Sequence, residues 1–222
     1  MFNFASSNQS KDMEGYSEKQ LGIILVAERL FADKGFHGTS VRDIAQEADV
    51  NIAMISYYFG SKEKLLEAVF RYRMTASRDF IKELVENDTM GPLEKIYSLI
   101  DRFVNKMLSE QHFQCIMNRE QMNSEPSPVK DLIWGLKTEM MGLMVPIVTQ
   151  AQEQGVFYKD VDIVLLMSTL FGTIHQVVPA KSYIRSDPEF ASLPEDEFIA
   201  YLKIRVSAHL KKLFKAILTH EF

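Results

Sequence analysis

Residues 40–62, SVRDIAQEADVNIAMISYYFGSK, constrain the fold of this chain more than any other stretch. Val41, Ile44, Ala45 and Ala48 recur at the i, i+3, i+4, i+7 spacing that lines one face of a helix. Ser40, with Asp43 three residues on, can cap the start of that helix reciprocally. Ala48-Asp49-Val50 makes a joint. Asn51 can cap a second helix, whose buried side carries Ile52, Ile55 and Phe59. Two short helices across a three- or four-residue turn have the outline of a DNA-reading helix-turn-helix.

The second helix separates a reader from a plain helical hairpin. Its outward side carries Ala53, Met54, Ser56 and Tyr57, with Tyr58 at the end. Small and mid-sized side chains leave room for a groove, and the tyrosines offer hydroxyls to phosphate. Ala53, Met54, Ser56 and Tyr57 are expected to face base edges. Ser40, Tyr57, Tyr58 and Lys62 are expected to hold phosphates. Gly60-Ser61-Lys62 restarts a helix with Ser61 as its cap. A lysine in the first turn opposes the helix dipole. Its presence makes sense if a phosphate sits between the ammonium and the free N–H groups there.

From about residue 21 to residue 70 the chain resembles the DNA-binding domain of the TetR family of bacterial transcriptional regulators. The segments AERLFADKGFHGTSVRDIA and VNIAMISYYFGSKEKLLEAVF carry the resemblance. Two departures bear on DNA preference. Asp49 stands where the family often has glycine, and aspartate tolerates the left-handed conformation expected there better than most residues. Tyr58 stands where histidine is common. Arg42 matches a family position that can touch a base or a phosphate.

The chain has 222 residues, 46% apolar and 25% charged, which fits an ordinary globular protein with a small and a larger domain. Its one cysteine, Cys115, allows no internal disulfide, and a reducing cytoplasm is expected. No basic region followed by an apolar one opens the sequence, so no secretory signal is read. The longest apolar run, 161–178, contains Asp162, His175 and Gln176 among other polar residues, so no membrane partner is expected. The net charge of −5 does not advertise nucleic acid. Within the first seventy residues seven bases face ten acids. DNA contact would therefore rest on a few cations such as Arg42 and Lys62, with a marked salt dependence.

The remaining segments read as helices throughout, an all-α fold. Residues 1–16 lack periodicity and read as a disordered tail, or as a minor-groove arm with Lys11 as its one base. Ser17 with Gln20 can cap a supporting helix that ends at Lys34, Gly35 and Phe36. The DNA-binding domain is placed at 17–60 and an effector-binding and dimerisation domain at 61–222. Its first helix, 61–85, has no internal glycine or proline and links the two domains. Further helices are expected at 93–109, 112–122, 128–154, 161–179 and 195–219. Pro146 is expected to kink the third of these, and Glu125-Pro126-Ser127-Pro128 to break the chain. Asp160 or Asp162 can cap the next helix. A mobile loop is expected over 182–193, and Ser192 with Glu195 and Pro194 at the opening of the last helix.

The resemblance implies a homodimer, which also matches the two-fold axis of a palindromic site. The surfaces implied are Leu165, Ser168, Gly172 and Gln176 on one helix, with Leu202, Val206, His209, Leu210 and Leu213 on the last. The alternative is that these stripes only close their own core. The resemblance also implies a small, mostly apolar effector in the helical domain. Phe103, Met107, Met117, Trp134, Met144, Met167, Phe171 and His175 are the candidates for its cavity, against ordinary core packing. Met122 and Met140 belong to the same set.

Catalytic signals are missing. There is no Gly-rich phosphate loop, no GxSxG, no Glu-x-x-His pair and no HxxxH, so no enzyme activity, cofactor or metal is expected. The expected function is a ligand-responsive repressor released from a double-stranded palindromic operator. A constitutive DNA-binding regulator, or a helical small-molecule binder with a vestigial DNA-binding domain, remains as the alternative.

Overall fold

The computed structural model of the chain describes residues 15–122 and 128–219. Most of the expected tail and the break around Pro126 lie outside the described residues. The described residues form helices without strands: α1 (Glu18–Gly38), α2 (Val41–Glu47), α3 (Ile52–Phe59), α4 (Lys62–Glu86), α5 (Pro92–Ser109), α6 (Gln111–Met122), α7 (Pro128–Glu153), α8 (Ile163–Arg185) and α9 (Glu195–Leu218). They divide into two compact units. One holds residues up to Phe80 and Gln111–Met141, the other Ile81–Glu110 and Gly142 onward. The division therefore falls inside α4 and α7 rather than after residue 60, because α6 and the first half of α7 share the core of the first three helices.

That first core is one cluster. Ile23, Ile24, Ala27 and Phe31 of α1 meet Ile44 and Ala45 of α2, Ile55 and Phe59 of α3, and Leu65, Val69 and Phe70 of α4. Phe113 and Ile116 of α6 and Val129, Ile133 and Leu136 of α7 complete it. Each fully buried Ile, Leu or Phe contributes about 1.5–3 kcal/mol. Glu28 of α1 is 3% exposed, and Arg73 of α4 donates to both its oxygens, at 2.7 and 3.0 Å. A carboxylate so buried requires its partner, so this pair fixes α4 against α1.

Local caps define the helix starts. Ser17 and Gln20 exchange backbone and side-chain bonds as expected. Asp162, rather than Asp160, caps α8 by accepting from Val164 and Leu165. Gly35 takes φ 77°, which suits the expected end of α1 at Lys34, but a further helical turn follows it before Thr39.

In the second unit, α5 presents Ile96, Leu99, Ile100, Phe103, Val104, Met107 and Leu108 to the interior. Leu166, Met167, Leu170 and Ile174 of α8 and Phe198, Leu202, Val206, Leu210 and Phe214 of α9 are buried with them. Lys211 pairs with Asp101 at 2.5 Å and Lys203 bonds Ser109 at 2.9 Å, joining α9 to α5. Lys95 is buried and donates to Val85 O at 2.9 Å, which supplies the cation that the last turn of α4 lacks in its own sequence. Gly155, at φ 73°, turns the chain out of α7.

The end of α8 differs from the sequence expectation. The helix passes Pro179 and runs on to Arg185, so the first residues of the expected loop over 182–193 are helical. Arg185 explains the extension, since it pairs with Glu195 and donates to Leu193 O at 2.6 Å. Glu195 is thereby engaged with arginine, and α9 opens on Pro194 without a side-chain cap from Ser192. By length and composition alone α7 and α8 could cross a membrane, a test that core helices also pass.

Candidate nucleic-acid interface

The α2–α3 pair is built as its sequence requires. Ser40 N donates to Asp43 Oδ2 at 2.9 Å, and Asp43 N donates to Ser40 Oγ at 3.1 Å. Asp49 takes φ 51°, the left-handed conformation expected of the joint. Val50 N closes the turn on Ala45 O at 3.0 Å. Asn51 Oδ1 accepts from Ala53 N at 2.9 Å and starts α3. Ile55 and Phe59, four apart, hold α3 to the core at 1% and 9% exposure.

The opposite side of α3 is open. Tyr57 is 84% exposed, and Asn51, Ala53 and Ser56 are exposed beside it. Met54 and Tyr58 are half-buried, with the rings of Tyr57 and Tyr58 in edge contact at 5.3 Å. Ile52 departs from the expectation: it is 42% exposed and not part of the buried side. It lies in the first turn, rotated about 60° from Ile55. It therefore adds an aliphatic side chain to the outward face.

The expected phosphate holders divide. Arg42 is exposed and has no ion-pair partner among the described residues. Ser40 donates its hydroxyl to Asp43 Oδ2 at 2.7 Å, so both of its donors serve the capping box. Lys62 is half-buried, and its ammonium donates to Phe36 O and Thr39 O, each at 2.9 Å, over the Phe36 ring at 4.3 Å. The lysine at the start of α4 is thus explained by the carbonyl end of α1, without a phosphate. One of its three N–H groups remains uncommitted by those bonds. Ser61 caps α4 by accepting from Lys64 N at 3.2 Å, as expected. Lys34, expected only as the end of the supporting helix, is exposed, and its charge helps to hold the Asp43 carboxyl down.

The Asp43 carboxyl is held below the ordinary aspartate range by the Ser40 hydroxyl first, then by the Ser40 amide and the charge of Lys34. The Glu63 carboxyl is likewise lowered, chiefly by the Ser61 hydroxyl.

The effector candidates are not brought together as one set. Phe103, Met107, Met144 and Met167 are buried in the second unit, with the half-buried Phe171 ring 5.1 Å from that of Phe103 and His175 half-buried on the same helix. Met117 packs against the core of the first unit instead. Trp134 is 74% exposed in that unit, because Ile133 and Leu136 take the buried side of α7. It therefore lines no closed cavity there. An open groove of about 420 Å³ between α5 and α9 is lined by Asp101, Val104, Asn105, Lys203, Ile204, Ser207, Ala208 and Lys211, none of them a sequence candidate.

The expected dimer stripes also divide. Leu202, Val206 and Leu210 are 1%, 6% and 0% exposed and belong to their own core, since they share the face of α9 that carries Phe198 and Phe214. Leu213 is half-buried. Leu165, Ser168, Gly172, Gln176 and His209 are exposed. Val164 and Ile204, at 63% and 72% exposure, extend the outward apolar surface beyond what the sequence suggested.

Two family models match this chain. The one described as bacterial regulatory proteins, tetR family, matches residues 23–69. The one described as the C-terminal region of YsiA-like proteins matches residues 70–214. The probable HTH-type transcriptional regulator YttP of Bacillus subtilis is 62% identical over 45 residues, 20% of this chain and 22% of that protein. The HTH-type transcriptional repressor NicS of Pseudomonas putida is 28% identical over 140 residues, 63% of this chain and 66% of NicS. The chain thus spans about a fifth of the first and about two thirds of the second. The structure of the transcriptional regulator FadR from Bacillus subtilis in complex with stearoyl-CoA aligns with TM-score 0.66 at 21% identity, covering 86% of this chain and 96% of FadR. That likeness is one of fold.

Proposed function

Because the chain belongs to the TetR family of bacterial regulatory proteins, matched from residue 23 to residue 214, we propose that it is a homodimeric cytoplasmic repressor, released from a palindromic operator by a small apolar effector. The observation that carries this reading is the outward face of α3. An eight-residue helix that buries Ile55 and Phe59 and leaves Tyr57 84% exposed is poised for the major groove. Ala53, Met54, Ser56 and Tyr57 meet base edges. Arg42, Tyr57, Tyr58 and the remaining N–H of Lys62 meet phosphates, with Lys34 as a further cation near the start of α2. Ser40 joins them only if its hydroxyl turns away from Asp43. With few strong donors on α3, part of the specificity lies in DNA shape.

The second subunit docks on the exposed surface of α8 and α9, through Leu165, Ser168, Gly172, Gln176 and His209. NicS carries the name of a repressor, and FadR was solved with stearoyl-CoA; both support the repressor and apolar-effector parts. An effector that favours one arrangement by about 1–3 kcal/mol changes operator affinity roughly 5- to 150-fold. One observation favours a second reading, a regulator that takes no ligand: Phe103, Met107, Met144 and Met167 are already buried at 4–7% exposure.

Selection of bound fragments from random DNA with the purified chain tests the first part. A palindrome with half-sites about one helical turn apart is expected, and no enrichment overturns the reading. Titrating the selected complex with stearoyl-CoA and other apolar molecules then separates the two readings. Release by any of them favours the sensor, and a complex indifferent to all of them favours the ligand-free regulator.

A further inference from the structure

A reading helix meets base edges chiefly with its first residues. In α3 those are Ile52, Ala53 and Met54, three consecutive side chains without a hydrogen-bond donor. Asn51, just before them, commits its Oδ1 to Ala53 N at 2.9 Å. The fold of the first unit does not account for Ile52. Val50 and Ile55 hold the two positions where an apolar pair closes the start of a helix, and both go to the core of the first unit. Ile52 stands outside that core and is 42% exposed. Isoleucine is also a middling helix former, so the start of α3 gains nothing from it. Ser56, exposed one turn further on, continues the same flank of the helix.

We infer that Ile52 is a specificity-determining residue, which reads the C5-methyl group of a thymine in each half-site. The inference rests on the DNA-reading function proposed above. The major-groove edges of the four bases carry donors, acceptors and one methyl group, that of thymine. An apolar first turn finds its match in that methyl. Of the three side chains, Ala53 reaches out by one carbon and Met54 is half-buried, which leaves Ile52 as the largest exposed apolar group. The isoleucine also selects against the other bases. Over the amino group of adenine or cytosine, or the carbonyl of guanine, it would displace water from a polar edge without replacing the lost hydrogen bond. The half-site therefore carries a T·A pair where α3 begins. This contact is separable from the reading of DNA shape, because the methyl can be removed from the duplex by itself.

The test replaces each thymine of the selected operator in turn by deoxyuridine, which removes the methyl and keeps every hydrogen-bonding group. At one symmetric pair of thymines, wild type is expected to lose affinity about fourfold per half-site, and so about 15-fold for the pair. Ile52→Ala is expected to bind the thymine and deoxyuridine operators alike, at about the affinity of wild type for the deoxyuridine one. Ile52→Val, which keeps the branched methyls, is expected to retain most of the difference. Should Ile52→Ala fail to fold, Ile52→Gln, which exchanges those methyls for an amide, is read the same way. A selected operator that no deoxyuridine weakens overturns the inference and leaves the DNA-reading function standing. A deoxyuridine loss that persists undiminished in Ile52→Ala overturns it too, since the methyl then meets another side chain. Failure to select any operator overturns the DNA-reading function and the inference with it.

Discussion

The head of α1–α3 and the layer of α5, α8 and α9 sort their residues in different ways. On α3 the inward side is narrow: Ile55 and Phe59 go in, Met54 and Tyr58 are half-buried, and Ile52, Ala53, Ser56 and Tyr57 stay out. On α8 and α9 apolar residues occupy more than one side of long helices. Leu202, Val206 and Leu210 go in, while Val164, Leu165 and Ile204 stay out. A short helix behind a tight joint has one way to close its core. A long helix that is apolar on two sides has two, and periodicity alone does not say which side meets its own chain.

The largest effect that sharpens this contrast lies in the second region. Leu210→Ala should lower stability by about 2–5 kcal/mol, as for other buried leucines. Leu165→Ala should stay within about 0.5 kcal/mol, as exposed sites do. In the reading proposed here Leu165→Ala instead weakens self-association. Denaturant unfolding and sedimentation read the two outcomes, and equal destabilisation by both substitutions would erase the contrast.

An intermediate effect lies in the head. Lys62→Ala leaves two carbonyls without their charged donor and should lower stability by about 1–3 kcal/mol. If its third N–H also reaches a phosphate, binding to all DNA weakens alike and the salt slope flattens by about one unit per subunit. Denaturant unfolding separates the roles: a change in DNA binding without a loss of stability would mean that the carbonyl cap contributes nothing.

The smallest effect is the titration of Asp43. Its folded-state pKa lies below the ordinary value of 3.8, through the Ser40 hydroxyl first. A depressed carboxyl contributes stability that is present above the unfolded value and lost as pH falls through the folded one. The start of α2 should therefore loosen only at pH below the ordinary aspartate range, and Ser40→Ala should move the Asp43 titration upward. An NMR titration of the Asp43 carboxyl checks this, and an unmoved midpoint in Ser40→Ala would remove the capping box as the cause.

The same contrast separates what is legible in the sequence from what is not. Ser17 with Gln20, Ser40 with Asp43, Asn51 with Ala53 and the positive φ of Asp49 are contacts between near neighbours, so their spacing was visible. The cap of α8 by Asp162 was visible for the same reason, whereas the cap expected of Ser192 on α9 does not form. The donors that close helix ends were not. Lys62 reaches back 23 and 26 residues, Arg73 reaches 45 and Arg119 reaches 88. Nothing in local spacing marks such partners. Lys62 consequently looked like a phosphate ligand, and Arg119 was not singled out at all. Trp134 was misread for a related reason, since a lone tryptophan among methionines suggests a cavity until Ile133 and Leu136 are seen to take the inward side.

Everything proposed for this chain depends on two copies of α3 meeting one duplex. Guanine-methylation protection on the selected operator examines that, because the methylated N7 lies in the major groove. Wild type should protect two major-groove patches on one face of the duplex, with centres roughly 34–36 Å apart, and a folded Tyr57→Ala should lose both. A single protected patch, no protected guanine, or a Tyr57→Ala footprint identical to wild type would contradict it.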